Sequence, residues 1–225
     1  MSAQNATPSP YAYAPPREPW LPVLYADEDI LVLDKPSGLL SVPGKPVEHA
    51  DCLERRAQAA YPGAMTIHRL DRDTSGLVVM GLNRRAHAHI SLQFEKRRTG
   101  KSYVARVWGH VEGGTGEIDL PIACDWPNRP KQMVDHATGR PARTIWEVTG
   151  REASATRMRL TPLTGRSHQL RVHMLSLGHP ILGDNFYAHP AAFEAAGRLQ
   201  LHAERLSFFH PANEREREFI SPCPF

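Results

Sequence analysis

Apolar residues along this chain gather into short runs divided by turn signals, and few of the runs carry a helical period. LPVLYADEDILVLDKPSGLL, from Leu21 to Leu40, holds two apolar runs split at Ala26 to Asp29 and closed by Lys35-Pro36-Ser37-Gly38, which predicts a hairpin followed by a loop. CLERRAQAAYPG reads as a short helix stopped by Pro62-Gly63, and GLVVMGL as a buried strand. Asn83 can cap a helix through RRAHAHISLQFEKRR, with Ala86, Ile90 and Phe94 at steps of four on one face. SYVARVWGHV alternates like a strand, setting Tyr103, Ala105 and Val107 against Val104, Arg106 and Trp108. GEIDLPI, RTIWEVTG and TRMRLTPL add strands, the last two forming an antiparallel hairpin about REASA. SHQLRVHMLSLG predicts a helix with Ser167 as N-cap and Gly178 as stop, and LQLHAERLSFFHP and REFISP close the chain as strands.

Strands outnumber helices and do not alternate with them, so the expected fold is α+β: a single domain with a mixed, largely antiparallel sheet flanked by helices and loops. A length of 225 residues is enough to bury an extensive core. The start, MSAQNATPSPYAYAPPREP, has neither a basic nor an apolar signal region, and its Pro, Ala and Ser content predicts a flexible tail over residues 1–19, with the globular domain over 20–225. No apolar run is long enough for a membrane span. The three cysteines, Cys52, Cys124 and Cys223, lie far apart and outside any CxxC pair, which fits a reducing, cytoplasmic setting. A net charge of +3 does not identify a nucleic-acid partner, but its distribution changes the picture. Arg84, Arg85, Lys96, Arg97, Arg98, Lys101 and Arg106 face only Glu95 between them, a block suited either to a solvated helix face or to tracking phosphates.

Candidate chemistry centres on HRLDRDTSGLVVM, residues 68–80, a loop feeding a strand. Thr74, Ser75 and Gly76 are accounted for as turn residues; Asp71 and Asp73 among Arg69 and Arg72 are either a salt-bridged turn or a reaction centre. Metal chemistry finds little support among 12 histidines, since His87/His89 and His168/His173 lack the spacing of a helical zinc pair. His202-Ala203-Glu204 matches the HxE of zinc deaminases, but Cys223 has no PCxxC partner. There is no GxSxG, dinucleotide fingerprint or Walker loop. An aspartate acting as nucleophile or base must stay ionised in a cleft, which an arginine within salt-bridge reach favours. Arg166, in TGRSHQLRVH, is the candidate partner, next to the positive end of a helix.

HRLDRDTSGL, KSYVARVWG and LTGRSHQLRVHMLSLGHPILGD, in that order, closely resemble the motifs of the RluA family of pseudouridine synthases, and the resemblance runs from about Trp20 to Pro222. CDWPNRPKQ and GHPILGDNFYAHP are most similar to the short members that modify rRNA and tRNA and lack the S4-like domain of longer members. The resemblance implies the pseudouridine synthase fold, a monomer acting on structured RNA (23S rRNA, a tRNA anticodon stem-loop, or both), and no cofactor or metal. It implies Asp71 as the essential aspartate, Tyr103 packing against the base and a candidate to remove the C5 proton, Arg166 paired with Asp71, and Leu201 facing the base opposite the tyrosine. Arg69 is the candidate wedge for a flipped uridine, since a planar guanidinium can replace lost stacking. Arg72 either holds a phosphate or pairs with Asp73, and Arg129 and Lys131 are the expected RNA-holding cations outside the motifs. A catalytically dead RNA-binding module and a base-excising glycosidase are the competing readings.

Overall fold

The most apolar run of the chain becomes an inner strand that is buried along its whole length, β4 (Ser75–Gly81). In a computed structural model, which describes residues 13–225, the other elements are β1 (Val23–Ala26), β2 (Ile30–Lys35), α1 (Leu53–Ala60), β3 (Met65–Thr66), α2 (Arg84–Glu95), β5 (Gly100–Trp108), β6 (Thr115–Asp119), β7 (Ile122–Cys124), β8 (Gln132–Val134), β9 (Arg143–Arg151), β10 (Ala155–Pro162), α3 (Gln169–Ser176), α4 (Pro190–Glu194), β11 (Leu201–Phe209) and β12 (Glu216–Ile220). A ten-stranded sheet runs β1-β2-β4-β11-β5-β10-β9-β6, with β12 beside β11 and β3 beside β4; β7 and β8 pair separately. The β4–β11 pair is parallel and the other pairings are antiparallel, so the expected mixed, largely antiparallel α+β architecture is the one observed.

Both faces of β2 and β4 are covered, which is why neither shows polar alternation. Ile30, Val32, Leu77 and Val79 pack with Ile90 of α2 and with Leu206 and Phe208. On the opposite face Leu31, Leu33, Val78 and Met80 pack with Leu53 and Ala57 of α1. A third cluster joins β5, β9 and β10 to α3 through Ala105, Trp146, Met158, Leu160, Leu170 and Met174, and Tyr103 packs against both this cluster and the α1 side.

Helix α2 is capped as expected, the Asn83 side chain accepting from the Ala86 N–H. Helix α3 starts differently: its N-cap is His168, not Ser167, with a left-handed backbone (φ 54°) and no side-chain cap. The expected tail divides as well. Residues 1–12 lie outside the described region, whereas from Tyr13 onward the chain is tied down: the Tyr13 hydroxyl donates to the Asp51 carbonyl (2.7 Å), and the buried Arg56 guanidinium donates to the carbonyls of Pro16 (2.8 Å) and Trp20 (3.1 Å). No described helix is long and apolar enough to cross a membrane.

Candidate active site

Asp71 lies on the loop joining β3 to β4, and the segment Asp34–Ser41 holds that loop in place. Gly38, at φ +86°, donates its N–H to the Arg72 carbonyl (2.9 Å), and the Ser37 hydroxyl donates to the Asp73 carbonyl (2.7 Å). Ser41 Oγ donates to the Leu70 carbonyl (2.7 Å) and accepts from the Leu70 N–H (3.1 Å). Lys35, with no exposed surface, donates from Nζ to the carbonyls of Arg72 (2.8 Å), Leu39 (2.6 Å) and Pro36 (2.9 Å). Burial pulls its ammonium down to about 7, while Asp73 and Asp71 pull the other way. The backbone on both sides of Asp71 is therefore pinned, leaving its carboxylate as the free end.

The cation beside that carboxylate is Arg171, not Arg166. Arg171 Nη1 lies 3.7 Å from Asp71 Oδ2, and the same guanidinium grips Asp184 through Nε (2.8 Å) and Nη2 (2.6 Å). The Arg171 side chain is 2% exposed and that of Asp184 not at all. Burial would lower the Arg171 pKa, but Asp184 and then Asp71 outweigh it and hold the group above its ordinary value. The physical reason for the change of partner is position. Arg166 precedes the helix and gives its Nε–H to the Pro141 carbonyl (3.1 Å), whereas Arg171 sits inside α3, a helix buried on nearly every side. His168 Nε2 is 4.0 Å from the same Asp71 oxygen.

Tyr103, Leu201 and Asp71 line one cavity of about 960 Å³, together with Arg69, His168 and Arg171. The strand register brings them together. Tyr103 stands opposite Ala203, which stands opposite Gly76 across the parallel pair, while Leu201 shares Ala203's face of β11. Small residues are required at this crossing: a Cβ on Gly76 would come within 2.4 Å of the Ala203 carbonyl oxygen. Burial, then the charge of Asp71, pushes the Tyr103 phenol up, so it stays protonated at neutral pH. Leu201 is buried and Arg69 exposed on the cavity rim. Arg72 makes the alternative contact, bidentate on Asp73 through Nε (2.9 Å) and Nη2 (3.1 Å).

Arg129 and Lys131 do not line the cavity; Arg129 lies over the exposed Trp126 ring (4.5 Å), in the loop before β8. Arg97, Arg140 and Arg166 line it instead. Among the described residues no carboxylate pairs with any of the three, whereas Arg143 on the same wall is held by Glu117. Burial lowers the Arg166 pKa, and the neighbouring Arg140 and Arg97 lower it further. The HxE segment has a structural use: His202 Nδ1 meets the Ser75 hydroxyl (2.9 Å) and Nε2 the Ser221 carbonyl (2.9 Å). Among the described residues no group of three or more His, Cys, Asp or Glu could hold a metal ion.

An aspartate pinned beside a buried arginine shares one cavity with a tyrosine, a leucine and several arginines that have no carboxylate partner among the described residues, a lining suited to an anionic substrate. The chain belongs to the RNA pseudouridylate synthase family, whose model matches residues 29–176, and is an RNA-modifying isomerase. Among its relatives, the dual-specificity RNA pseudouridine synthase RluA of Escherichia coli K12 is 55% identical over 214 residues, covering 95% of this chain and 98% of that one. The protein of the same name from Vibrio vulnificus is 53% identical over 218 residues (95% and 87%). The solved structure of human RNA pseudouridylate synthase domain containing 1 superposes with a TM-score of 0.75 at 29% identity, covering 91% of this chain and 84% of that one.

Proposed function

We propose that the enzyme acts as a cytoplasmic monomer on uridines in structured RNA, in 23S rRNA, in a tRNA anticodon stem-loop or in both, in keeping with the dual specificity named for its relatives. The target uridine is flipped into the cavity at a cost of a few kcal/mol. Arg69 fills the gap in the stack, its exposed guanidinium being free of carboxylate partners among the described residues. The base lies between Tyr103 and Leu201, with its ribose toward Asp71. Asp71, beside Arg171, either attacks C1′ or removes the 2′ proton, and the C1′–N1 bond breaks with its electrons leaving on the uracil. The uracil turns and C5 bonds to C1′ as the Asp71–C1′ bond breaks, or as Asp71 returns the proton to C2′; the C5 proton is then lost while N1 gains one, so that Asp71 is restored and the composition is unchanged. A phenol kept neutral suits Tyr103 to packing and hydrogen-bond donation rather than to proton removal at neutral pH.

Arg97, Arg140 and Arg166 hold the backbone of the delivered strand, and Arg129 and Lys131 extend that surface along the neighbouring loop. The observation that carries this reading is the Asp71 carboxylate on the cavity wall, 3.7 Å from a buried arginine and sharing the cavity with Tyr103 and Leu201. Mapping pseudouridine in rRNA and tRNA from cells with and without the gene tests it. One or more positions should revert to uridine; unchanged maps in both RNA classes would refute it.

A further inference from the structure

The Asp71 carboxylate has a second neighbour that the sequence motifs do not single out. His168 stands in the left-handed region at φ 54°, a backbone state that a histidine adopts only at some cost and that turns its ring into the site. Its Nδ1 is 2.7 Å from the Tyr187 hydroxyl, and that oxygen already accepts the backbone N–H of Gln132 at 2.8 Å. Nδ1 is the other hydrogen-bonding atom within reach of that hydroxyl, and the arrangement lets the hydroxyl give its hydrogen there. An imidazole that accepts at Nδ1 carries its proton on Nε2, the nitrogen 4.0 Å from Asp71 Oδ2. The ring is also fixed in its plane, stacked on Phe186 with centroids 5.6 Å apart.

We infer that His168 and Tyr187 are positioning residues for Asp71. Tyr187 holds His168 as the neutral Nε2–H tautomer, so that the ring faces the carboxylate across 4.0 Å as a dipole and not as a second cation beside Arg171. This rests on the reading of Asp71 as the reacting group. The neutrality is what matters, because a full imidazolium would form an ion pair with Asp71 and blunt it as nucleophile or base. The groups facing the ring divide evenly: Asp71 and Asp184 favour the imidazolium, while Arg171 and Arg69 oppose it. Burial is the largest influence and lowers the imidazole pKa below its ordinary 6.5. In the inferred arrangement the Tyr187 hydrogen bond favours the neutral ring, since protonation of Nδ1 would require the hydroxyl hydrogen to turn away. Tyr187 is itself buried and pushed up by that burial, so it remains a donor throughout the neutral range.

Tyr187→Phe removes the hydroxyl and keeps the ring. A hydrogen bond of ordinary net strength shifts the imidazole's protonation ratio roughly tenfold toward the cation when it is removed. The wild-type rate of uridine conversion should be level from about pH 8 down to about pH 6, while that of Tyr187→Phe falls several-fold over the same interval. His168→Gln, which retains an N–H donor near the Nε2 position, should stay within about tenfold of wild type, and His168→Leu should lose about a hundredfold in kcat with little change in RNA affinity. Nitrogen-detected NMR of the His168 ring is independent of turnover and should report a neutral Nε2–H form in the wild type at pH 7. An Nδ1–H tautomer there, or parallel pH profiles for wild type and Tyr187→Phe, would overturn the inference. A wild type that converts no uridine would overturn the functional reading instead and leave the tautomer result standing on its own.

Discussion

Arg171→Gln separates the two duties of the buried guanidinium. Removing it strands the Asp184 carboxylate, whose side chain has no exposed surface, and breaking one partner of such a pair costs roughly 3–5 kcal/mol. Asp184 Oδ1 keeps the backbone N–H groups of Phe186 (2.9 Å) and Tyr187 (3.2 Å), which places the expected loss toward about 3 kcal/mol. For a chain of this size that lowers Tm by roughly 6–12 °C. Arg171→Gln/Asp184→Asn removes both charges and should recover most of the stability. It should not recover activity, because the cation 3.7 Å from Asp71 is still missing. An ion pair at a partly exposed site contributes on the order of 1 kcal/mol, so kcat should fall at least several-fold in both variants. Arg166→Gln should melt like wild type and weaken RNA binding with a much smaller effect on kcat. Thermal unfolding and single-turnover conversion of one labelled RNA decide the matter. A double variant as active as wild type, or Arg166→Gln inactive beside an active Arg171→Gln, would refute the assignment of the ion pair.

The RNA surface is tested by salt dependence: replacing Arg97, Arg140 and Arg166 together by Gln should lower the slope of log affinity against log salt by roughly 0.7 to 0.9 for each phosphate that these side chains neutralise. Arg129→Gln/Lys131→Gln should give a smaller decrease, and an unchanged slope in both sets would remove these cations from the interface. His68 should make the fold sensitive to acid. Burial, with Lys101 adding to it, pushes this imidazole from 6.5 down to about 3, where it accepts the Val79 N–H (3.1 Å) and stacks on Phe94. The folded state then resists a proton that the unfolded chain accepts, so its contribution is complete above about pH 6.5 and is lost as pH falls toward 3. His68→Gln should flatten urea-unfolding stability between pH 6.5 and 4.5 by up to about 1.4 kcal/mol per pH unit, and a slope equal to that of wild type would contradict this.

Local rules read from the chain reach the elements but not the way they meet. Asn83 before an apolar period and the breaker after Lys35 are signals carried by neighbouring residues, and α2 and the β2 loop follow them. The parallel β4–β11 pairing, which sets Leu201 and Tyr103 near Asp71, joins segments more than a hundred residues apart and leaves no local trace. Arg166 adjoins a helix start, which favours it over Arg171 when only neighbours along the chain are weighed. The signal against it lies in the same segment: an arginine in the middle of the apolar stretch LRVHM must be buried and therefore paired, and Asp184 supplies a carboxylate 13 residues on. Ser167 matches a capping pattern, but the chain turns through a left-handed His168, a residue placed for the site rather than for the helix. Lys35 reads as part of a turn, and its three carbonyl acceptors include one on a loop more than thirty residues away.

Asp71→Asn bears most directly on the central claim. The amide keeps the shape of the side chain and removes its charge, so the folded structure and its RNA surface should persist. With an RNA that the wild type converts, the variant should bind with an affinity within a few-fold of wild type, melt at a similar temperature and form no pseudouridine in single-turnover assays. Conversion by Asp71→Asn within tenfold of the wild-type rate would show that the reaction does not depend on this carboxylate.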